Sequence, residues 1–365
     1  MNKILVVGQT PPPYHGQALA IERILKGEYR HAKLFHARMG FAKDNDDLGT
    51  VRVGKITHLL GLLLQIAWMR ITKNIKVLYY PPSGPKKIAV YRDIVILCLT
   101  RWMFAKTIFH FHAGGISELY PRLNPIARFF FRRAFYRCDL ALVLSNNLPP
   151  DHLCVKAKKT LVLPLGVQDM FNEHLHKPSV NVLPHILFVA VLHRSKGVFD
   201  LLQACHILKM KGFEFAVDIV GMFPDKEIEA ACKTFIQQQD MMSNVVFHGV
   251  LKGTEIAKVY ANADLFCFPT YYESEALPQV VIEAMQFSLP VVATAWRGVV
   301  DQVEDGHSGF LTPSHDINAL AERLGQLLAD PALRAQMGRV GRTLYLKKYT
   351  LDVFYQKFDE CLSQA

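Results

Sequence analysis

Short, largely apolar runs alternate with longer amphipathic stretches along almost the whole chain. The runs are too short for helices, and apolar residues follow one another without strict alternation, as expected of parallel strands buried on both faces. The segments between them repeat apolar positions with a helical period. Strands are predicted at residues 4–8, 77–80, 107–111, 140–145, 186–191, 216–220, 245–248, 265–268 and 291–294. Helices are predicted at residues 17–25, 201–211, 226–239, 255–261 and 353–362.

These elements form two β/α series, separated by a polar stretch with a proline at residues 172–181. Each alternating series is typical of a doubly wound, Rossmann-like α/β domain. A chain of 365 residues, half of them hydrophobic, has enough apolar material for two cores of ordinary size. We therefore predict an N-terminal domain at residues 1–171 and a second domain at residues 182–349.

Residues 263–294 contain the most informative pattern, which is a strand, a turn, a helix start and another strand. In such a unit, ligands bind beyond the carboxyl ends of the strands, and a helix N-terminus there offers amide groups to an anion. Glu275 and Glu283 lie on either side of the predicted helix start. Eight helical residues span about 12 Å, a suitable reach for Glu283 to accept ribose hydroxyls while the helix start holds a diphosphate. The pattern predicts a nucleotide-diphosphate site.

A basic loop follows the first strand of the second series. It carries Arg194 and Lys196, and Gly197 precedes the next helix. Two cations at this place would neutralise a diphosphate, Arg as a fork and Lys as a point charge.

The segment that contains Glu275 and Glu283 resembles the E-x7-E signature of the family 4 retaining glycosyltransferases. It reads Glu275-Ala-Leu-Pro-Gln-Val-Val-Ile-Glu283-Ala-Met, where members often have Glu-Gly-Phe-Pro and then Glu-Ala-Met. The resemblance implies the GT-B fold, which has two facing Rossmann-like domains with a central cleft. Ala276 and Leu277 replace the usual Gly and Phe, a change that would narrow the space for donor phosphate or sugar.

The resemblance also implies roles for residues of the second domain. Glu275 would contact the sugar hydroxyls, with Ala276 and Leu277 beside the phosphates, and Glu283 would bind the ribose. Lys196 matches the Lys of the family pattern Gly-Arg-Leu-x-x-x-Lys-Gly, which holds the donor diphosphate.

The Arg of that same family pattern is absent. Val191 stands in its place, and Arg194 is our candidate to replace it. Gly249 and Val250 match the place where the family seats the nucleotide base, mostly through backbone contacts.

Two further positions match the family in the N-terminal domain. Gly16 ends the proline-stiffened loop after the first strand, which resembles the family loop that faces the donor. His112 matches a histidine beside the transferred sugar. His110 and His112 share a face of their strand, but no third ligand at a suitable spacing completes a metal site, and none is predicted.

Together these matches predict a retaining, metal-independent enzyme of the hexosyltransferase type that needs no cofactor. Its donor would be a nucleotide-diphosphate sugar, UDP- or GDP-linked, and its acceptor a saccharide or lipid-linked saccharide in cell-surface polysaccharide synthesis. Two alternatives remain open at this stage: a nucleotide-sugar epimerase of the same architecture, and a non-catalytic nucleotide-sugar-binding subunit.

Charge is distributed unevenly along the chain. Residues 1–180 contain 26 Lys and Arg against 11 Asp and Glu, within a net charge of +10 for the whole chain. No nucleic-acid-binding motif accompanies this charge, so nucleic acid is not an expected partner. Basic and aromatic residues interleave at 128–137, a pattern that a buried helix with basic ends and a helix on an anionic membrane share.

The remaining patterns concern burial and location. The strongly apolar runs at residues 59–69 and 94–104 are shorter than the ~20 residues that span a bilayer, and we interpret them as buried crossover helices. The seven cysteines include no C-x-x-C pair, and we expect buried thiols in a reducing cytosol. The expected location is the cytoplasm, with peripheral attachment to the membrane as a further option. The resemblance implies that the helix at about 350–365 packs back on the first domain.

Overall fold

The computed structural model describes residues 1–12, 16–40, 53–171 and 183–364. The chain divides into two compact units, one comprising Met1–Gly166 and Asp352–Ala365 and the other Val167–Leu351. The linker expected at residues 172–181 lies outside the described residues, so the domain bounds 1–171 and 182–349 stay a prediction.

Strands and helices alternate in both units. The strands are β1 (Asn2–Gly8), β2 (Ala32–Arg38), β3 (Val77–Tyr80), β4 (Lys106–Phe111), β5 (Leu140–Val143), β6 (Thr160–Val162), β7 (His185–Val189), β8 (Ala216–Val220), β9 (Val245–Gly249), β10 (Leu265–Phe268), β11 (Val291–Thr294) and β12 (Gly309–Thr312). The helices are α1 (Gly16–Lys26), α2 (Val53–Thr72), α3 (Lys87–Thr100), α4 (Ile116–Leu119), α5 (Pro125–Phe135), α6 (Asp151–Cys154), α7 (Val198–Met210), α8 (Lys226–Gln238), α9 (Thr254–Asn262), α10 (Gln279–Gln286), α11 (Ile317–Ala329), α12 (Pro331–Lys348) and α13 (Leu351–Ser363).

The first unit is built on a parallel sheet with the strand order β2-β1-β3-β4-β5-β6. One face of the sheet packs against α2, α3 and α5, and the core on this side includes Ile66, Leu97 and Phe131. The opposite face packs against α1 and α13, where Phe358 lies in one core cluster with Ile4. Helices therefore cover both faces of the sheet.

The second unit is built on a parallel sheet with the strand order β12-β11-β10-β7-β8-β9. The order reverses between β7 and β10, which are neighbours in the sheet although β8 and β9 lie between them in the chain. Ligands of such sheets bind at this switch point, outside the carboxyl ends of the strands. The predicted doubly wound α/β fold is confirmed.

The interpretation of the two long apolar runs as buried helices is wrong for their outer faces. Both runs lie in helices, α2 and α3, whose inner faces pack on the sheet. On the outer faces, however, Leu64 is 72% exposed and Leu99 is 53% exposed. Composition alone could not show this, because an apolar helix looks the same whether or not a second layer covers it. No helix among the described residues is long and apolar enough to cross a membrane.

The cysteines in the described residues are all free thiols. Five of them are buried, and Cys98 and Cys154 are half-buried. Burial raises the pKa of Cys154 to about 11, so this thiol stays protonated near neutral pH.

Candidate active site

Two loops meet at the switch point of the second sheet. After β7 the chain makes a 3₁₀ turn at Arg194–Lys196, and after β10 it passes through residues 269–278 to reach α10. The backbone amide of Tyr271 donates to the carbonyl of Ser195 at 2.8 Å, which ties the two loops together.

Gly197 permits this close approach. Its φ of +87° lies in the left-handed region that favours glycine. A Cβ at this position would lie 2.2 Å from the carbonyl oxygen of Pro269, which is far inside van der Waals contact. The glycine therefore allows the end of β10 to pass directly beside the basic turn.

Lys196 and Glu275 form an ion pair where the loops meet. The Lys196 Nζ lies 2.6 Å from Glu275 Oε2, and the hydroxyl of Thr270 donates to the same oxygen at 3.1 Å. The side chains are only 19% and 9% exposed, respectively. The ammonium group also lies 4.4 Å from the ring centre of Tyr272. Shielding from water strengthens the electrostatic effect of both charges on anything that binds beside them.

Glu283 lies on α10 and is held by two neighbours. Its Oε2 accepts from the Tyr260 hydroxyl at 3.0 Å, and its Oε1 accepts from the Gln279 amide at 2.5 Å. Burial, together with the nearby Glu283, raises the pKa of Tyr260 well above its ordinary value, so the phenol stays a donor. A carboxylate has about four lone-pair positions, so Glu283 retains capacity to accept ligand hydroxyls.

Helix α10 begins beside this pair of carboxylates. Pro278 occupies the N-cap position, no side chain caps the helix, and its first turn carries no acid. The first amides of a helix have no partner within the helix, and the helix dipole places partial positive charge there. An anion would be favoured at this end of α10.

Ala276 and Leu277, which stand where the family often has Gly and Phe, are 4% and 5% exposed. A Cβ on Gly298 would lie 2.0 Å from the carbonyl oxygen of Ala276, so the segment is packed from behind without room for a side chain.

Arg194 does not join the ion pair. Its guanidinium lies 5.7 Å from the ring centre of Phe199, and it hydrogen-bonds the Tyr271 side chain. Its described contacts include neither Glu275 nor the start of α10. Val191, at the place of the family Arg, is 54% exposed. The structure therefore brings Lys196 and Glu275 together but leaves Arg194 facing α7.

Gly249 and Val250 lie at the end of β9. Gly249 has a φ of +66°, and its carbonyl accepts from the amide of Gly221 at 2.8 Å. Val250 is 55% exposed. This edge offers backbone groups and one apolar side chain. A nucleotide base could bind here through backbone contacts, without specific hydrogen bonds to side chains.

His112 lies in the first unit, just after β4. Its ring is 3.9 Å from that of His110, centre to centre, and His110 in turn bonds the Tyr79 hydroxyl at 2.6 Å. Both ring nitrogens of His112 are shielded from solvent and have no hydrogen-bond partner among the described residues. Burial lowers the pKa of His112 to about 3, so the ring is neutral and has one donor and one acceptor to offer.

The loop after His112 is held by a carboxylate that the sequence analysis missed. Asp151 accepts from the amides of Gly115 and Ser117 at 2.9 and 2.8 Å and from the Ser117 hydroxyl at 2.6 Å. Gly16 also lies in this unit, at the exposed start of α1, with no atom within 4 Å of an added Cβ. Among the described residues, no cluster of three or more His, Cys, Asp or Glu side chains has a geometry that could hold a metal ion.

The second unit matches a known protein family in sequence. Residues 171–344 match the family model of the glycosyl transferases group 1. One relative is WcaL of Escherichia coli, which is named a putative colanic acid biosynthesis glycosyltransferase. It is 34% identical over 60% of this chain and 53% of its own length. The amylovoran biosynthesis glycosyltransferase AmsK of Erwinia amylovora is 30% identical over 64% of this chain and 58% of its own length. The chain spans about half the length of the curated relatives it matches.

Solved structures extend the likeness to the whole chain. Anabaena HepE in complex with UDP and glucose matches with a TM-score of 0.75 and 18% identity, covering 100% of both chains. Sucrose-phosphate synthase from Thermosynechococcus elongatus matches with a TM-score of 0.73 and 18% identity over 100% of this chain and 99% of that chain. At this identity the matches establish the fold, which is GT-B. Residues 171–344 therefore match the group 1 glycosyltransferases in sequence, and the chain as a whole has the GT-B fold.

Proposed function

We propose that the protein is a retaining, metal-independent glycosyltransferase of the hexosyltransferase type. It moves a sugar from a UDP- or GDP-linked donor to a saccharide or lipid-linked saccharide acceptor. The observation that carries this proposal is the shielded Lys196–Glu275 pair beside the start of α10. A cation, a helix N-terminus and two carboxylates are grouped where a doubly wound sheet binds its ligand.

The groups divide between leaving group, sugar and ribose. Lys196 and the amides of α10 would stabilise the diphosphate as charge develops on it, an electrostatic effect of a preorganised site. Glu275 would accept hydrogen bonds from the sugar hydroxyls, and Glu283 from the ribose. In the transfer itself, the acceptor oxygen forms a bond to the anomeric carbon while the bond to phosphate breaks. The acceptor proton passes to the departing phosphate, on the same face of the sugar, which retains the configuration.

The comparisons support the donor class and the setting. HepE, which shares the fold, has been solved with UDP and with UDP-glucose. Relatives named for colanic acid, amylovoran and capsular polysaccharide synthesis support a role in cell-surface polysaccharide synthesis. A cytoplasmic location is part of the proposal. The roles of Gly16, His112 and Arg194 stay predictions.

A thermal-shift panel tests the donor site. UDP-, GDP- and ADP-sugars would be added, with EDTA present, to the wild type, to Glu283→Ala and to Glu255→Ala, whose exposed carboxylate on α9 provides a matched control. A ligand that binds only the folded protein raises its Tm with concentration. We expect one nucleotide to stabilise the wild type and the control but not Glu283→Ala. No shift with any donor would contradict the proposal.

Product analysis then distinguishes the reactions. Transfer to an acceptor, with the anomeric configuration retained by NMR, is the expected outcome. Conversion of the donor sugar without an acceptor would instead indicate an epimerase, and donor binding without turnover over a panel of acceptors would indicate a binding subunit.

A further inference from the structure

A continuous series of apolar side chains is exposed on α3. Ile88, Tyr91, Val95 and Leu99 recur every three or four residues and are 39–53% exposed, and Trp102, just past the helix, is 73% exposed. This spacing places them on one side of the helix. The buried side chains of α3 lie on the opposite side, against the sheet.

The two helices that flank α3 show the same arrangement. Ile66 on α2 and Phe131 on α5 are fully buried in the core cluster that covers this face of the sheet. Their outer faces are apolar as well. The exposed side chains, which are 47–72% accessible, are Leu60, Leu64, Trp68 and Ile71 on α2 and Ile126, Phe129 and Phe130 on α5. Since α3 packs against both neighbours, the three stripes lie side by side on one layer, which we call the apolar face.

Such a surface is unusual for a soluble protein unless something binds to it. Soluble monomers rarely expose contiguous apolar patches of more than a few hundred Å². The chain has three tryptophans, and two of them, Trp68 and Trp102, lie on the apolar face with more than half of each side chain exposed. Amphipathic Trp side chains are enriched where protein meets the headgroup region of a membrane.

Along α2, α3 and α5, the exposed charges of the described residues have one sign. The sequence of α2, α3 and α5 contains a single carboxylate, Asp93, and it is fully buried. Its oxygens are engaged by the Tyr80 hydroxyl, the Ser83 amide and the Arg92 guanidinium. Exposed cations border the face: Lys86 and Lys87 at the start of α3, Arg132 and Arg133 at the end of α5, and Lys73 after α2.

We propose that the apolar face docks on an anionic lipid bilayer, with the stripes in the headgroup region and the cations on lipid phosphates. Apolar insertion and a basic border together supply the two signals that stable attachment needs. A second copy of the chain fits less well, because a symmetric contact would bring two basic borders together. The proposal rests on the first unit and is independent of the donor chemistry proposed for the second.

Vesicle sedimentation of the full chain tests the proposal. Neutral phosphatidylcholine vesicles would be compared with vesicles that also contain phosphatidylglycerol, at low and at high salt. We expect strong binding to the anionic vesicles at low salt and weak binding to the neutral ones. Arg132→Glu with Arg133→Glu is expected to lower the partition coefficient roughly tenfold or more. Leu64→Glu with Trp102→Glu should abolish binding at either salt concentration.

Matched controls carry the same changes elsewhere. Met210→Glu with Met242→Glu alters two side chains of the second unit that are 74% and 68% exposed, and Lys347→Glu with Lys348→Glu reverses two adjacent charges on α12. Both controls should bind vesicles as the wild type does. All variants change surface positions, and an unchanged Tm would show that they fold.

Three outcomes would overturn the proposal. They are equal binding to neutral and anionic vesicles, no binding by the wild type, and equal loss in the control variants. A wild-type dimer in sedimentation velocity that Trp102→Glu dissociates, without vesicle binding, would assign the apolar face to a second copy instead. Donor-induced thermal shifts should be the same in all these variants, so failure of this proposal is distinguishable from failure of the proposed donor site.

Discussion

The amino group of Lys196 lies 2.6 Å from a carboxylate oxygen of Glu275, although the two residues are 79 positions apart in the chain. The contact exists because β7 and β10 are neighbours at the point where the strand order reverses. It places a cation and an anion, both largely shielded from water, beside the start of a helix.

Breaking the pair from one side should cost both stability and activity. Lys196→Met leaves the Glu275 carboxylate without its cation, and Glu275→Gln does the reverse. Each change is expected to lower the free energy of unfolding by about 3 kcal/mol, since it leaves one shielded charge uncompensated. Lys196→Met should also lower kcat by about a hundredfold or more, since it removes the cation proposed to stabilise the leaving group.

The double variant separates these two effects. Lys196→Met with Glu275→Gln removes both charges, so we expect most of the stability to return while activity stays low. Urea unfolding and initial-rate measurements would complete the double-mutant cycle. Additive losses of stability would show that the two side chains do not interact in solution as they do in the structure.

Gly197→Ala should be far more damaging than an ordinary glycine substitution. The added Cβ would meet the carbonyl of Pro269, and the residue has a positive φ. Gly212 has nearly the same φ, +82°, but no atom lies within 4 Å of an added Cβ. We expect Gly212→Ala to cost about 1 kcal/mol for its backbone conformation alone, and Gly197→Ala about 3 kcal/mol or more.

The difference in the free energy of unfolding between the two alanine variants measures the cost of the steric clash at Gly197. Equal midpoints in urea unfolding would mean that the loops after β7 and β10 do not approach each other as closely as described.

Tyr260→Phe should weaken donor binding through Glu283. The change removes the hydroxyl that holds Oε2 of Glu283, so the carboxylate loses its fixed position. We expect a loss of about 1 kcal/mol in stability and a several-fold rise in the Kd for the donor nucleotide. Tyr29→Phe provides the control, because its hydroxyl also donates a buried hydrogen bond, at 2.8 Å to the Ile24 carbonyl, but in the other unit. Calorimetric titration with the nucleotide should therefore show weaker binding by Tyr260→Phe and the wild-type Kd for Tyr29→Phe.

Central strands could be predicted from the sequence, whereas three of the four edge strands among the described residues could not; the exception is β9. β1, β3 and β10 are buried on both faces and stand out as apolar runs. β2, β6 and β12 lie at sheet edges and are shorter or mixed in pattern, as with Lys33, His36 and Arg38 in β2. An edge strand has one hydrogen-bonded neighbour and more solvent contact, which weakens its apolar pattern.

The candidate site divides in the same way. Lys196, Glu275 and Glu283 belong to local patterns and could be named in advance. Tyr260 could not, because its contact with Glu283 depends on how α9 packs beside α10. Arg194 was our own candidate for the missing family Arg, but a loop position does not determine side-chain direction, and the guanidinium faces Phe199.

Acid should destabilise the first unit through its buried histidines. Burial lowers the pKa of His112 from 6.5 to about 3 and that of His110 well below 6.5. Below pH 6.5 the unfolded chain takes up protons on these rings that the folded chain does not, so the free energy of unfolding falls as pH falls toward 3. Each ring contributes a slope of up to about 1.4 kcal/mol per pH unit in this range, and nothing above it.

His112→Gln removes one titrating ring and should make the decline in stability shallower between pH 6.5 and 4. His307→Gln, an exposed position in the second unit, should leave the decline as in the wild type. Urea unfolding at a series of pH values measures these slopes, and parallel curves for His112→Gln and the wild type would contradict the burial of that ring.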